Sequence, residues 1–356
     1  MMSNFKRIVL LLFTSICIQC SMGQDVHFSQ YYNAPLLLNP AFTGFTQGIT
    51  RINIQHRNQW FSATNNGFFK SPYMTTSASV DAPFKIKNDI LGAGLFIASD
   101  QAGANTFSTV ITQASVSYIK TLGKKNNHRL AAGFQIGYTY QSIKVENFQF
   151  ASQFDDNNEF NPAQTSYNPE NISRGNIGYL NLNFGVLWYS KLSDKFAMYT
   201  GGSFYNVTTP SHNILPNQKR DLYWRWNAHG GLDIFLGKKY HILPSGMFMR
   251  QGVNDQLNTG LAFGVDFDTR RTNNGMAMTL GVFNRIHNLT SGVTSDAIIT
   301  YVSYEGSGFK VGFSYDATIS KLKNAGSGVG ALELMLGYTI KSKDFNYRNS
   351  PICPRL

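Results

Sequence analysis

HRLAAGFQIGYTYQSI, residues His128–Ile143, alternates without a break. Leu130, Ala132, Phe134, Ile136, Tyr138 and Tyr140 fall on one face, and Ala131, Gly133, Gln135, Gly137, Thr139 and Gln141 on the other. Strand side chains point alternately to opposite faces, so a period of two marks a strand. One face is apolar and ends in tyrosines. The other is small and polar and carries no charge between Arg129 and Lys144. The solvated face of a soluble sandwich usually carries charge, so this strand fits lipid on one side and a wet lumen on the other. Its length also suffices for a tilted membrane strand, which needs about 9–11 residues. The pattern recurs along the chain and predicts an antiparallel transmembrane β-barrel of the outer-membrane kind.

Composition agrees. The 356 residues include 32 glycines, 14% aromatic and only 14% charged residues, against about 25% charged in soluble domains. The mean hydropathy of −0.20 is compatible, because half of each strand faces water.

The chain opens with Lys6 and Arg7, an apolar run from Ile8 to Ile18, and Ser21-Met22-Gly23. This predicts a signal peptide over residues 1–23 with cleavage before Gln24. Cys20 raises a lipoprotein alternative, against which Cys17, Ile18 and Gln19 make a poor lipobox. No long apolar run follows Gln24, which excludes helical spans. An exported chain held in a membrane without such helices is expected to be a closed barrel. Only Cys353 lies beyond the leader, so no intrachain disulfide is expected. The net charge of +11 includes Lys6 and Arg7, and there is no dense basic run of the kind that binds nucleic acid.

Residues 24–45, QDVHFSQYYNAPLLLNPAFTGF, are apolar, non-alternating and broken by Pro35, Pro40 and Gly44. They read as a periplasmic N-terminal segment that plugs the barrel mouth or docks a periplasmic partner. Strand signals follow over residues 46–342: Ile49–Trp60, Tyr73–Phe84, Asp89–Ala102, Thr109–Leu122, His128–Ile143, Asn176–Leu192, Lys195–Thr209, Tyr223–Leu236, Tyr240–Gly252, Gln256–Phe267, Gly275–Ile286, Asp296–Tyr304, Gly308–Thr318 and Gly328–Lys341. That is about fourteen, an even number as in single-chain bacterial barrels. Connections after odd strands are mostly long and read as external; those after even strands are mostly short and read as periplasmic. Residues 343–356 form a periplasmic tail. The acidic loop around Asp155, Asp156 and Glu159 lacks the EF-hand spacing and central glycine, so it reads as a solvated loop rather than a calcium site.

Charges on the inward rows are the candidate functional groups. Arg51 and Arg57 come from the first strand, Asp266 from the tenth, Lys310 and Asp316 from the thirteenth and Glu333 from the last. Closure sets the first strand beside the last, so Arg51 or Arg57 can meet Glu333 or Asp316. Such a network organises the lumen or binds a polar ligand or chain end. No catalytic serine–histidine pair, zinc spacing, phosphate loop or paired-carboxylate motif is visible, so no enzyme, cofactor or metal is expected.

FSQYYNAPLLLNPAFTGF at Phe28–Phe45, HRNQW at His56–Trp60, GFSYDATISKL at Gly312–Leu322, GALELMLGY at Gly330–Tyr338 and CPRL at Cys353–Leu356 resemble, in order, hallmark segments of the PorP/SprF family of Bacteroidetes outer-membrane proteins. Leu356 departs from that family's usual terminal phenylalanine. The resemblance implies a role in type IX secretion and, in some members, gliding motility. It implies as partners a secreted cargo with a type-B C-terminal domain, or periplasmic secretion components, together with outer-membrane lipid. Family matches and inward charge together nominate Arg57, Gln59, Trp60, Tyr315, Asp316 and Glu333 as partner-binding or lumen-organising residues. A channel for a small, hydrophobic solute and an outer-membrane hydrolase are the competing expectations.

Overall fold

The computed structural model describes residues 25–60, 73–103, 107–123, 127–144, 153, 161, 175–211, 221–267, 276–287, 292–320 and 330–341. The leader, the C-terminal tail and most of the acidic loop lie outside them. Fourteen strands form one closed antiparallel barrel, each paired with its neighbours in sequence and the first with the last. They are β1 Thr50–Gln59, β2 Tyr73–Ile86, β3 Asp89–Ala102, β4 Phe107–Leu122, β5 His128–Ile143, β6 Asn176–Ser193, β7 Phe196–Tyr205, β8 Arg225–Leu236, β9 Tyr240–Gln251, β10 Asn254–Asp266, β11 Ala277–His287, β12 Thr294–Gly306, β13 Phe309–Thr318 and β14 Gly330–Ile340. Closure leaves no strand edge unpaired, as hydrocarbon demands.

Alternation sorts the side chains. On β5, Leu130, Ile136, Tyr138 and Tyr140 are exposed while Arg129, Ala131, Gln135 and Thr139 are buried. Exposed aliphatics such as Ile54, Leu95, Val186, Leu261 and Val282 form the outer belt. Aromatic residues flank it near both mouths: Tyr138, Tyr140, Phe204 and Trp224 at one, Tyr118, Trp188, Tyr240, Tyr304 and Phe309 at the other, as in membrane barrels.

The two mouths differ. Connections after even strands are mostly short. Ile86 pairs with Asp89 around Lys87 (φ 56°), and Gly306 with Phe309 around Ser307 and Gly308 (φ 52° and 91°); left-handed residues close two-residue hairpins whose twist suits the strands. We call this the turn mouth and the opposite end, where most connections are longer, the loop mouth.

The lumen is occupied by a segment of the same chain. Residues 25–45 run through the ring with one α-helical turn, Pro35–Leu38, between two 3-10 turns, Tyr31–Asn33 and Pro40–Phe42. Asp25 lies at the loop mouth, where its backbone N–H donates to Gln251 at 2.9 Å and Asn206 donates to its carboxylate at 2.8 Å. Phe45 lies towards the turn mouth against Tyr189, with Arg129 over its ring. The segment packs in two apolar clusters, Phe42 and Phe45 with Ile119, Leu187 and Tyr199 in one, Phe28 and Leu36 with Phe96 in the other.

This revises the reading of the small polar face of β5 as lining water. A Cβ on Gly133 would strike the backbone of Pro40 and Ala41, and one on Gly185 the side chain of Asn39. The small residues make room for the plug. The uncharged polar residues serve plug backbone groups that its own turns leave over, such as the Leu36 and Leu38 carbonyls.

Candidate functional site

The plug is held at both ends and in the middle. Near the turn mouth, Gly44 N–H donates to Asp81 at 2.8 Å, and Arg51 bridges Asp81 (2.9 Å) and the Phe42 carbonyl (3.0 Å). In the middle, the Leu38 carbonyl accepts from Ser203 (2.9 Å) and Asn227 (2.8 Å), and the Leu36 carbonyl from Gln135 (2.9 Å). Asn39 caps the second 3-10 turn by accepting from Ala41 N–H, and its amide donates to the Val186 carbonyl on β6 at 2.9 Å.

Near the loop mouth the hold is ionic. Arg57 and Glu333 stand directly opposite each other on β1 and β14 and form an ion pair. Glu333 also accepts two successive plug N–H groups, from Ser29 at 2.6 Å and Gln30 at 2.8 Å. Asp316 on β13 accepts from the Ser29 hydroxyl, from Arg285 at 2.7 Å, and lies 3.3 Å from Arg57. The Ser29 oxygen in turn accepts from Arg57 (2.6 Å) and Arg285 (2.9 Å). It therefore uses its one donor and both lone pairs. Glu333 and Asp316 are 0% exposed. Two guanidiniums balance two carboxylates, which is what allows four charges to be buried at all.

A bulge tunes the fourth charge. The β11–β12 register shifts beyond Arg285, leaving Asp296 as the extra residue, and its carboxylate accepts from Arg285 Nε at 2.9 Å. Bulges commonly re-aim a side chain in this way. Beside the cluster, burial and then the nearby Arg57 and Arg285 charges hold the His27 imidazole down to a pKa of about 3, so it stays neutral.

Of the six residues nominated from sequence, Arg57, Asp316 and Glu333 come together. Gln59 and Trp60 lie at the end of β1; Trp60 has φ 59° and packs edge-on against Tyr73 at 4.8 Å. Tyr315 belongs to the outward row of β13, opposite Thr300 and Leu332, and does not enter the cluster. Arg51 meets Asp81 rather than Glu333. Sequence reading missed Arg285, though its inward position on β11 was a visible signal, and Ser29, for which no signal existed. It also expected no serine–histidine pair, whereas the Ser190 hydroxyl lies 2.8 Å from His128 Nδ1. Ser190 is wholly buried and His128 stacks on Trp188. Among the described residues, no group of His, Cys, Asp and Glu forms a metal-holding cluster.

On the turn side of the plug lies a chamber of about 200 Å³. Tyr32, Leu243, Phe283, Tyr301 and Met335 form its apolar floor, and Arg51, Asp266, Glu305, Lys310 and Lys341 its charged rim.

Known proteins place the architecture. The model of a family described as type IX secretion system membrane protein PorP/SprF matches residues 21–338. No curated protein matches the chain. Among solved structures, the toluene transporter TbuX of Ralstonia pickettii is 10% identical, covers 86% of this chain and 92% of its own, and superposes with a TM-score of 0.50. A mutant of the monoaromatic hydrocarbon channel TodX is 10% identical over 87% of this chain and 94% of its own, with a TM-score of 0.51. At such identities these likenesses concern the barrel alone.

Proposed function

Because the chain belongs to the PorP/SprF family of type IX secretion system membrane proteins, we propose that it is a non-enzymatic outer-membrane partner in that system, assisting export or surface anchoring of a cargo with a type-B C-terminal domain, or docking periplasmic secretion components. The turn mouth faces the periplasm and the loop mouth the exterior, as short turns and long loops do in outer-membrane barrels. A link to gliding motility follows the same family reading.

The observation that supports binding over conduction is the plug. An open solute pore needs a continuous lumen, and here residues 25–45 occupy it from one mouth to the other, seated by hydrogen bonds to Glu333, Asp316 and Asp81, one capped turn and two apolar clusters. Deleting the chain tests the reading. The expected result is one surface protein retained in the cell or shed to the medium; an unchanged set of surface proteins overturns it. Liposome swelling by the purified intact barrel would instead favour the small-solute channel.

A further inference from the structure

The chamber on the turn side of the plug has a wall that the chain itself runs along as it leaves the sheet. Met335, Gly337, Thr339 and Lys341, the inward row at the end of β14, line it from floor to rim. β14 ends at Ile340, so the backbone departs at the chamber's mouth. Residues 342–356, SKDFNYRNSPICPRL, come next and lie outside the described residues.

Size and surface say what fits. At about 200 Å³ the chamber is smaller than the 300–1,000 Å³ usual for small-molecule sites, and it has room for one or two large side chains. Its floor is aromatic and apolar, with Tyr32, Phe283 and Tyr301. The buried Tyr32 hydroxyl, on a residue that lines this floor, has no hydrogen-bond partner among the described residues. The rim carries both signs: Glu305 stands directly opposite Lys310, with Asp266 and Lys341 also on it. An occupant of one sign gains nothing there. A large aromatic side chain with a polar tip, flanked by charges of both signs, suits floor and rim together. The segment after Lys341 has that make-up, with Phe345 and Tyr347 among Lys343, Asp344 and Arg348.

Reach agrees. Tyr347 is six residues beyond Lys341, and Met335 is six residues before it. Six residues of extended chain span about 20 Å, so a segment folded back from the rim comes down as far as the floor. A short link also holds its segment near the site at an effective concentration of about millimolar. Contacts too weak to keep a free peptide can keep a linked one.

We infer that residues 342–348 fold back into the turn-mouth chamber and seat Tyr347 on the floor of Tyr32, Phe283 and Tyr301, with Phe345 nearer the rim. The segment is an internal stopper, and any other occupant of this mouth must first lift it. The inference is independent of the secretion reading and stands whichever way the mouth faces.

The test uses the full-length protein in detergent micelles, in a Cys353→Ser background. Asn346→Cys, which keeps both aromatic residues, is combined with Thr279→Cys on the chamber wall or with Lys195→Cys in the exposed turn between β6 and β7. Under a mild oxidant the first pair is expected to link within one chain about tenfold faster than the second, read as the joined peptides by mass spectrometry. Equal rates would mean a segment that roams without a seat, and would overturn the inference. Thr279→Cys with Asn346 intact should react with a small maleimide about tenfold faster once Phe345→Ser and Tyr347→Ser are added to the same full chain; an unchanged rate overturns it as well. Each variant is first shown to be folded by its unheated gel mobility. In cells, a photo-crosslinker at Thr279 should capture residues 342–348 of the same chain. Exclusive capture of another polypeptide, or of lipid, would give the chamber to that occupant and sink the stopper.

Discussion

Arg57 and Glu333 face each other across the seam where the first strand meets the last, and the same Glu333 carboxylate takes the Ser29 and Gln30 amides of the plug. One carboxylate therefore joins the two ends of the sheet and ties the segment inside it. A buried ion pair adds little net stability over an apolar replacement, but losing one partner strands the other.

Glu333→Gln or Arg57→Gln alone is expected to cost about 3–5 kcal/mol, read as a fall in the temperature at which the compact unheated gel form is lost. The double variant should recover a large part of that loss. Additive losses would show that the two groups act independently.

Ser29→Ala removes a hydroxyl that serves two guanidiniums and a carboxylate. The expected cost is about 1–3 kcal/mol, without change in far-ultraviolet strand content. The plug should become more accessible to protease added to the purified protein, and an unchanged digestion pattern would argue against the clamp.

Gly133→Leu places a side chain where Pro40 and Ala41 lie. The barrel should persist while the plug is displaced, giving greater conductance in planar bilayers than the parent protein. Deletion of residues 25–45 should give larger conductance of the same kind.

The His27 imidazole carries a pKa of about 3 in the folded chain against 6.5 unfolded. Below about pH 6.5 the unfolded chain takes up a proton that the folded one refuses, so this group disfavours the folded state increasingly as pH falls to about 3. Replacing it by glutamine should flatten the loss of stability between pH 6.5 and 4. A parallel pH profile in His27→Gln would remove His27 from the account.

Neighbours on β5 test which side meets lipid. Ile136→Lys should cost about 2–4 kcal/mol if it sits near the bilayer midplane. Gln135→Ala should cost about 1–3 kcal/mol through the orphaned Leu36 carbonyl. Refolding yields in lipid vesicles would distinguish the two.

The ring was legible in the sequence because lipid enforces a strict alternation: β5 spans the same residues as the stretch that signalled it, and β3 begins and ends at Asp89 and Ala102 as read. The Arg57–Glu333 pairing was legible because closure makes the terminal strands neighbours and parity turns both residues inward. The plug's path was not. Residues 25–45 have no periodicity to report which wall they touch, and Ser29 is one polar residue among several until four strands converge on it. Asp296 escaped because a bulge breaks the very alternation by which inward residues are found.

Ser29 bonds at once to groups on β1, β11, β13 and β14. Its socket has no existence in an open sheet, since two of its walls, β1 and β14, are the first and last strands, adjacent only when the barrel is closed. Final seating of the leading residues and sealing of the hoop are thus a single cooperative event, and a half-built cylinder would have neither.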